Sequence, residues 1–596
     1  MTHRTFKRFA VLSLLLLIAG VCAAGQYRWS GVERIVVFGD SHGAYPALVE
    51  MLQKANVIDA ELAWAGGATH LVGLGDYLDR GPESRKILDL LMRLEQEAPV
   101  AGGMVHPLLG NHEIMNMTGD LRYVAPEEFA AFATDDIQMI AGFPKGFLAH
   151  RVAFSLYGRY GSWLAEKPLI IVINDNAFVH GGLSEQLSKT SLEEINQRAS
   201  NDLREFMIAW RDLFDAGILT YEDDFRGVQK KALATADNEE LDDEIRNAAS
   251  VFNRTIQGFP FSPHGPVWYR RTAMCHPFNE YPVTDTALER LGAKRVFIGH
   301  TVTTSHRVGR RLDGLVYKLD TGMLTAHYGG IPAMTVIEGD HIQVYYADRD
   351  GPSDPYVESN REWDRPYGMS DAEMEEFLRT ATVIEDVELG LGVTNPHRLT
   401  LEQNDRRMRA VFKDEDSHPG LQKGRWETSG DSSDRYQYDV AAYKLDRFMG
   451  LDAVPVAVLR RYDGDEGVVQ YWVENAINET SRREEDVPYT GYCDPNAQWS
   501  LMDSFDILIH NEDRNQGNIL WDRGDWYLWM IDHSRAFRIT RRAPRYLNKV
   551  KVIPNQWYAT SLETLTRENM QFLNDYLNRS QINALETRAE KMLKNR

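Results

Sequence analysis

Between Arg34 and about Tyr346, short apolar runs alternate with stretches of helical periodicity. The runs at 35–38, 71–74, 169–173, 177–179 and 296–298 are continuous, of strand length, and read as buried strands. Strands alternating with helices predict an α/β architecture. Most of these runs stop just before a polar cluster containing Gly, Asp, Asn or His. The polar residues therefore fall on loops at strand ends, where α/β sheets place their sites.

From 185 to 260 the pattern becomes helical and heavily charged (Glu193, Glu194, Arg198, Asp202, Arg204, Glu205, then an acidic run at 239–244). It reads as a helical insertion with a solvated charged face. The stretch 347–386, rich at its start in Asp, Pro, Gly and Arg, reads as an interdomain linker. Within it Ser370-Asp-Ala-Glu373 is a capping box that opens a short helix. A second domain is expected over 387–588.

The chain has 596 residues, 43% hydrophobic and 26% charged, enough for two or more domains with sizeable cores. Its net charge of −21 argues against nucleic acid as a partner but leaves room for a local cationic pocket for phosphate. Arg4, Lys7 and Arg8 precede an apolar run at 9–18 and then small residues, the organisation of a secretory signal over 1–24 cleaved after Ala23 or Ala24. The apolar run is shorter than the roughly 20 residues of a spanning helix. An uncleaved segment anchoring the protein is the alternative, and the sole membrane association expected. The protein is thus expected to be exported, to a bacterial periplasm. Of three cysteines, Cys22 leaves with the signal; Cys275 and Cys493 fall in different expected domains, as two thiols or one disulfide.

Five clusters carry the chemistry: Gly39-Asp40-Ser-His42-Gly43, Gly75-Asp76-Tyr-Leu-Asp79-Arg80-Gly81, Gly110-Asn111-His112-Glu113, His180-Gly181-Gly182 and Gly299-His300-Thr301. Asp40, Asp76, Asn111, His42, His180 and His300 offer oxygen and imidazole donors suited to Mn, Fe or Zn, without the thiolates of a structural zinc site. Hydrolysis of a phosphate ester needs charge neutralised on phosphoryl oxygens, water deprotonated near neutral pH, and a proton for the leaving alkoxide. Two metals bridged by a carboxylate, here Asp76, achieve the first two. Arg80 can fork onto phosphate, and His112 can act as acid if Asp79 accepts from its other nitrogen.

These clusters, together with Gly265-Pro266-Val-Trp268-Tyr-Arg270, resemble the calcineurin-like metallophosphoesterases, and among them the Shewanella-like branch of the phosphoprotein phosphatases. The resemblance covers about residues 33–346. It implies a β-sandwich flanked by helices. Asp40, His42 and Asp76 would hold one divalent metal, and Asp76, Asn111, His180 and His300 the second. His112 would be the acid with Asp79 its partner, and Arg80 and Arg270 would bind phosphate. His300 is followed by Thr-Val-Thr rather than by a second histidine at metal spacing, which favours the phosphatases over the nucleases of the wider superfamily. The implied substrate is a phosphate monoester on protein; a nucleotide or polyphosphate is the competing class.

In the second domain His510-Asn511-Glu-Asp513-Arg514-Asn-Gln-Gly-Asn518 is followed by Met-Ile-Asp532-His533, and 409–413 is strand-like and ends in Lys413. An Asp, an Asn five positions on and a later Asp after a strand suit phosphoryl transfer from ATP with Mg or Mn, and Lys413 could reach nucleotide phosphates. Asp439 or Glu474 would position that lysine or contact the ligand. The segment resembles the atypical kinase-like fold of phosphoinositide and secretory-pathway kinases, an α+β domain. Gly390-Leu-Gly392 stands in for a Gly-rich loop. An active kinase and a ligand-binding module remain equally open.

Overall fold

Burial on both faces explains the continuous apolar strands. Val36, Val37 and Phe38 are all fully buried, which central parallel strands require. The computed structural model describes residues 26–134, 139–358, 365–390, 396–417 and 434–595. The expected signal at 1–24 and Gly392 lie outside the described residues. The chain divides into two compact units, one of 1–273 with 283–357 and one of 274–282 with 358–596.

In the first unit the strands are β1 (Arg28–Trp29), β2 (Arg34–Phe38), β3 (His70–Gly73), β4 (Met104–Pro107), β5 (Ile170–Ile173), β6 (Asn176–Val179), β7 (Arg295–Ile298), β8 (Gly309–Arg311), β9 (Val316–Lys318), β10 (Ala333–Glu338), β11 (His341–Tyr346) and β12 (Tyr356–Val357). One mixed sheet has the order β1-β5-β6-β7-β9-β8-β12, the other β11-β10-β2-β3-β4. Ile35, Val37 and Val72 from the second share a buried cluster with Ile171, Phe178 and Phe297 from the first. The two sheets thus pack face to face, with helices flanking them. Strand β4 is not evident as an apolar run because it reads Met-Val-His-Pro; buried His106 satisfies its Nε2 on His70 Nδ1 at 2.9 Å.

The insertion forms helices Leu192–Asp215, Phe225–Ala236 and Asp243–Thr255. Ser191 caps the first, its hydroxyl accepting from the Glu194 amide at 3.2 Å. Leu192, Ile195, Ala199, Leu203 and Phe206 recur at helical spacing on its buried face. Asn196 on the same face ties the helix to β5, accepting from the Leu169 and Ile170 amides and donating to the Ile170 carbonyl. Its charged residues are largely exposed, as the pattern implies.

The second unit begins earlier than expected. The stretch 347–386 is no linker: Tyr356–Val357 joins a sheet of the first unit, and helix Asp371–Thr380 and strand Thr382–Glu388 belong to the second. The capping box forms, Ser370 Oγ accepting from the Glu373 amide and Glu373 Oε2 from the Ser370 amide. Composition misleads here because the polar start conceals Met374, Phe377 and Leu378, which are buried. Five antiparallel strands follow in the order Thr382–Glu388, His397–Gln403, Arg406–Lys413, Asp465–Tyr471, Ala457–Tyr462. Helices Gln437–Phe448, Pro495–Ile509 and Arg579–Leu593 share one core with this sheet and with strands Ile519–Asp522 and Leu528–Met530.

Cys275 and Cys493 are bonded to each other, correcting their assignment to different domains. Residues 274–282 belong to the second unit, so the bond lies within it and closes a separation of 218 residues. Such a crosslink removes conformations from the unfolded chain. We expect reduction, or Cys493→Ser, to lower the stability of this unit by about 2–5 kcal/mol, read as a lower midpoint in thermal melts with and without reductant.

Candidate active site

The clusters sit at the carboxyl ends of parallel strands. Asp40 and His42 follow β2, Asp76, Asp79 and Arg80 follow β3, and Asn111 and His112 open helix Asn111–Thr118 after β4. His180 follows β6 and His300 follows β7, which is parallel to it. Each loop must turn sharply. His42, Asp76, Asp79, Arg80 and His300 all hold left-handed backbone angles, φ between 42° and 69°. For residues with a side chain this costs about 1–3 kcal/mol each and persists where the surroundings enforce it. Two glycines are required by close approach: a Cβ on Gly110 would lie 2.2 Å from Asp76 Oδ1, and one on Gly299 2.2 Å from Asp40 Oδ1.

Two groups of donors converge. Atoms of His42, Asp76 and His112 lie within 4.8 Å of one another, and so do atoms of Asp76, His180 and His300. Asp76 is common to both. Its Oδ2 is 3.3 Å from His180 Nε2 and 3.8 Å from both His42 Nε2 and His112 Nε2. Asn111 Oδ1 is 3.0 Å from His180 Nε2, and both Asp40 oxygens accept from the His300 amide at 3.0 Å.

The polarity of this convergence fits cations. His180 Nδ1 meets the Leu74 carbonyl at 3.0 Å and His42 Nδ1 the Leu78 carbonyl at 2.8 Å. A carbonyl only accepts, so each Nδ1 carries the proton, and in the neutral ring Nε2 presents a lone pair. The His180 lone pair then faces the oxygens of Asp76 and Asn111, and buried His300 Nε2 has no hydrogen-bond partner among the described residues. Burial drives the His42 imidazole down to about 3. Burial, then Asp320 and Asp76, push the Asp40 carboxyl well above the usual range. Acceptors facing acceptors, and carboxyls crowding carboxyls, suit divalent ions held by nitrogen and oxygen.

Around this centre stand the His112 imidazole and two guanidinium groups. His112 Nδ1 donates to Asp79 Oδ2 at 2.5 Å, while Asn116 Nδ2 holds the other Asp79 oxygen at 2.9 Å. Burial alone would lower the His112 imidazole, but Asp76 and Asp79 outweigh it and raise it. Arg80 donates to the Tyr328 hydroxyl and lies 5.4 Å and 5.3 Å from the ring centroids of Tyr123 and Tyr328. Arg270 Nη1 donates to the His300 carbonyl at 2.8 Å and to Thr301 Oγ1 at 3.2 Å.

Four further residues support the site. Glu113 accepts from the amides of Asp76, Tyr77 and Gly110 at 2.7–2.8 Å, fastening the β3 and β4 loops together. Asp320, in Leu-Asp320-Thr-Gly322 after β9, accepts from the Gly322 amide and also contacts Asp40. Asn116 and Tyr328 come from positions that resemble ordinary helix and loop residues. Glu113 lies inside the Gly110–Glu113 cluster and Asp320 in a polar strand-end turn, so both stand where a sequence pattern points to the site.

In the second unit Lys413 Nζ lies 2.5 Å from Asp439 Oδ2 and 3.2 Å from Asp532 Oδ1. Of the two acids that sequence offers Lys413, Asp439 is thus its partner; Glu474 instead binds Arg409, with Nε at 2.8 Å. Asp513 accepts from Arg535 Nη1 at 2.9 Å, and Asn518 donates to the Asp513 carbonyl at 3.1 Å. Arg535 also grips both oxygens of Asp434.

Glu113→Ala would strand three buried amide donors, each worth about 1–3 kcal/mol. We expect it to cost at least about 3 kcal/mol in denaturant unfolding. Glu113→Gln, which keeps one acceptor oxygen, should cost less.

The chain is similar to several known proteins. Residues 33–303 match the family described as calcineurin-like phosphoesterase. A relative named Shewanella-like protein phosphatase 2, from Arabidopsis thaliana, is 36% identical over 203 residues, 29% of this chain and 52% of that protein. The match thus spans about half the length of that relative. A solved cold-active protein-tyrosine phosphatase of a psychrophilic Shewanella is 27% identical, covering 54% of this chain and 81% of its own at a TM-score of 0.40. A Golgi casein kinase with Mn and ADP bound is 16% identical, covering 38% of this chain and 75% of its own at a TM-score of 0.28. Residues 33–303 are therefore similar to the calcineurin-like phosphoesterases, and the chain has relatives named as Shewanella-like protein phosphatases.

Proposed function

We propose that the first unit is a two-metal phosphatase that hydrolyses phosphate monoesters on proteins, at Ser, Thr or Tyr, outside the cytoplasm. The observation that carries this is Asp76, whose carboxylate belongs to both groups of converging donors. Asp40, His42 and Asp76 would hold one divalent ion, Mn, Fe or Zn, and Asp76, Asn111, His180 and His300 the other. Bound there, such ions neutralise phosphoryl charge and lower the pKa of water. Arg80 and Arg270 bind phosphate oxygens, and the Tyr123 and Tyr328 rings hold the Arg80 fork in place. His112 Nε2 delivers the proton to the leaving oxygen, with Asp79 fixing the ring through Nδ1. Protein substrates are supported by the printed names of the relatives. Export is supported by the basic, apolar and small-residue order of 1–24 and by a paired Cys275–Cys493, which reducing compartments disfavour.

The test is turnover of p-nitrophenyl phosphate and of a phosphoprotein panel by protein loaded with Mn. His112→Asn should lower kcat by about 10²–10⁴-fold while leaving bound metal unchanged. Asp76→Asn should lose both turnover and metal by elemental analysis. No metal-dependent turnover, or full activity in Asp76→Asn, would refute the proposal. Preferred hydrolysis of nucleotides over phosphoproteins would move the substrate class.

A second reading concerns the second unit. Lys413 held between Asp439 and Asp532 is a buried cation with two carboxylates, an arrangement able to take a nucleotide and Mg or Mn. If so, ATP with Mg raises the melting temperature, and Asp532→Ala abolishes the shift. No shift with either metal refutes this reading.

A further inference from the structure

Within the first unit, helix Phe147–Ala153 and the insertion helix Leu192–Asp215 border a cavity of about 230 Å³. Arg151 lines it and is only 5% exposed. Among the described residues no carboxylate lies within ion-pairing distance of its guanidinium, and no acceptor takes a hydrogen bond from it. Asp215, which also lines the cavity, is engaged by Arg211 Nε at 3.4 Å. The Arg151 guanidinium instead lies over the rings of Trp210 and Tyr221, 5.2 Å and 5.6 Å from their centroids. Aromatic faces recover part of the cost of burying a cation, and a buried charge without a counter-ion is otherwise strongly disfavoured. Burial lowers the guanidinium to about 10, so it stays charged near neutral pH.

Trp210 adds a second unmet donor. Its indole Nε1 is buried and has no hydrogen-bond partner among the described residues. The rest of the wall combines Phe206, Met207 and Phe214 with Ser155 and the Arg211–Asp215 ion pair, which adds no net charge. Trp210 and Phe214 stack at 5.3 Å with planes 16° apart, and Tyr221 sits 4.6 Å from Phe214. A guanidinium fork and an indole N–H together match two oxygens bearing a single charge, whereas a phosphate dianion would remain under-neutralised. The rings match an aromatic body.

We propose that this cavity is a binding site for a small aromatic monocarboxylate, whose oxygens meet Arg151 and Trp210 Nε1 and whose ring stacks on the aromatic wall. The site is built against the catalytic framework. Met117, which lines it, lies on the helix whose first residues are Asn111 and His112. Gly119, which ends that helix at φ 90°, abuts the guanidinium so closely that a Cβ would fall 2.5 Å from Arg151 Nη2.

The test is thermal shift and titration calorimetry on the full chain, with benzoate, phenylacetate and indole-3-acetate as probes. Acetate, benzyl alcohol and inorganic phosphate are the controls. At least one aromatic carboxylate should raise the melting temperature saturably and bind about tenfold or more tighter than benzyl alcohol, the neutral match. Arg151→Met, which keeps volume, should lose this response and, without ligand, melt no lower than the parent, since it removes an unpaired buried charge. Trp210→Phe should retain weakened binding. The proposal is overturned by no saturable response to any of the three up to about 10 mM, weaker than a built pocket gives. It is equally overturned by an undiminished response in Arg151→Met, which would place the carboxylate elsewhere, or by phosphate or acetate saturating the site as well as the aromatic acids. Should Arg151→Met melt lower, Arg151→Lys decides: an unchanged ligand response in that variant, which keeps charge but loses the fork, also overturns the assignment.

Discussion

The carboxylate of Asp76 is the point on which the first unit depends. Three imidazole nitrogens lie within 3.8 Å of its Oδ2, and its Oδ1 accepts from the His112 amide. Burial works against its charge, but His180 and His112 hold the carboxyl well below its usual range, so it remains an anion. A buried anion shared by three imidazoles, with further carboxyls close by, is an arrangement that divalent cations complete. The left-handed turns at His42, Asp76, Asp79 and His300, and the glycines whose missing Cβ atoms admit Asp76 and Asp40, make sense as the backbone cost of this convergence.

Rigid support lies one layer out. Glu113 fastens two loops through three backbone amides, and Asn116 with His112 holds both oxygens of Asp79. The strands beneath are buried on both faces, which fixes where each loop begins. Preorganisation of this kind lets an active site place charge where it is needed without rearranging during the reaction. Arg151 is a different case. Its guanidinium is buried beside aromatic rings with no carboxylate partner among the described residues, a cost to stability that a bound anion would offset.

The second unit repeats one theme with different parts. Lys413 at the end of a central strand is locked between an aspartate on a helix and an aspartate after a short strand. Arg535 meanwhile bridges Asp513 and Asp434, so the loop carrying Asp513 is tied down by an ion pair. Any ligand that used Asp513 would have to compete with that arginine.

The α/β character of the first unit, the helical insertion and the five polar clusters were legible in the chain itself. Uninterrupted apolar runs report burial on both faces, and glycine beside aspartate or histidine reports a turn at a strand end. Strand β4 was not legible, since its buried histidine and terminal proline break the apolar run and only the pairing of His106 with His70 makes it tolerable. The stretch 347–386 misleads because local composition cannot tell a spacer from a polar loop leading into a buried helix. Tertiary structure alone decided the pairing of Cys275 with Cys493, the contact of Asp320 with Asp40, the Tyr328 hydroxyl on Arg80 and the unpaired state of Arg151. Each depends on residues far apart in the chain, and sequence order carries no distance information across such separations until the chain has folded.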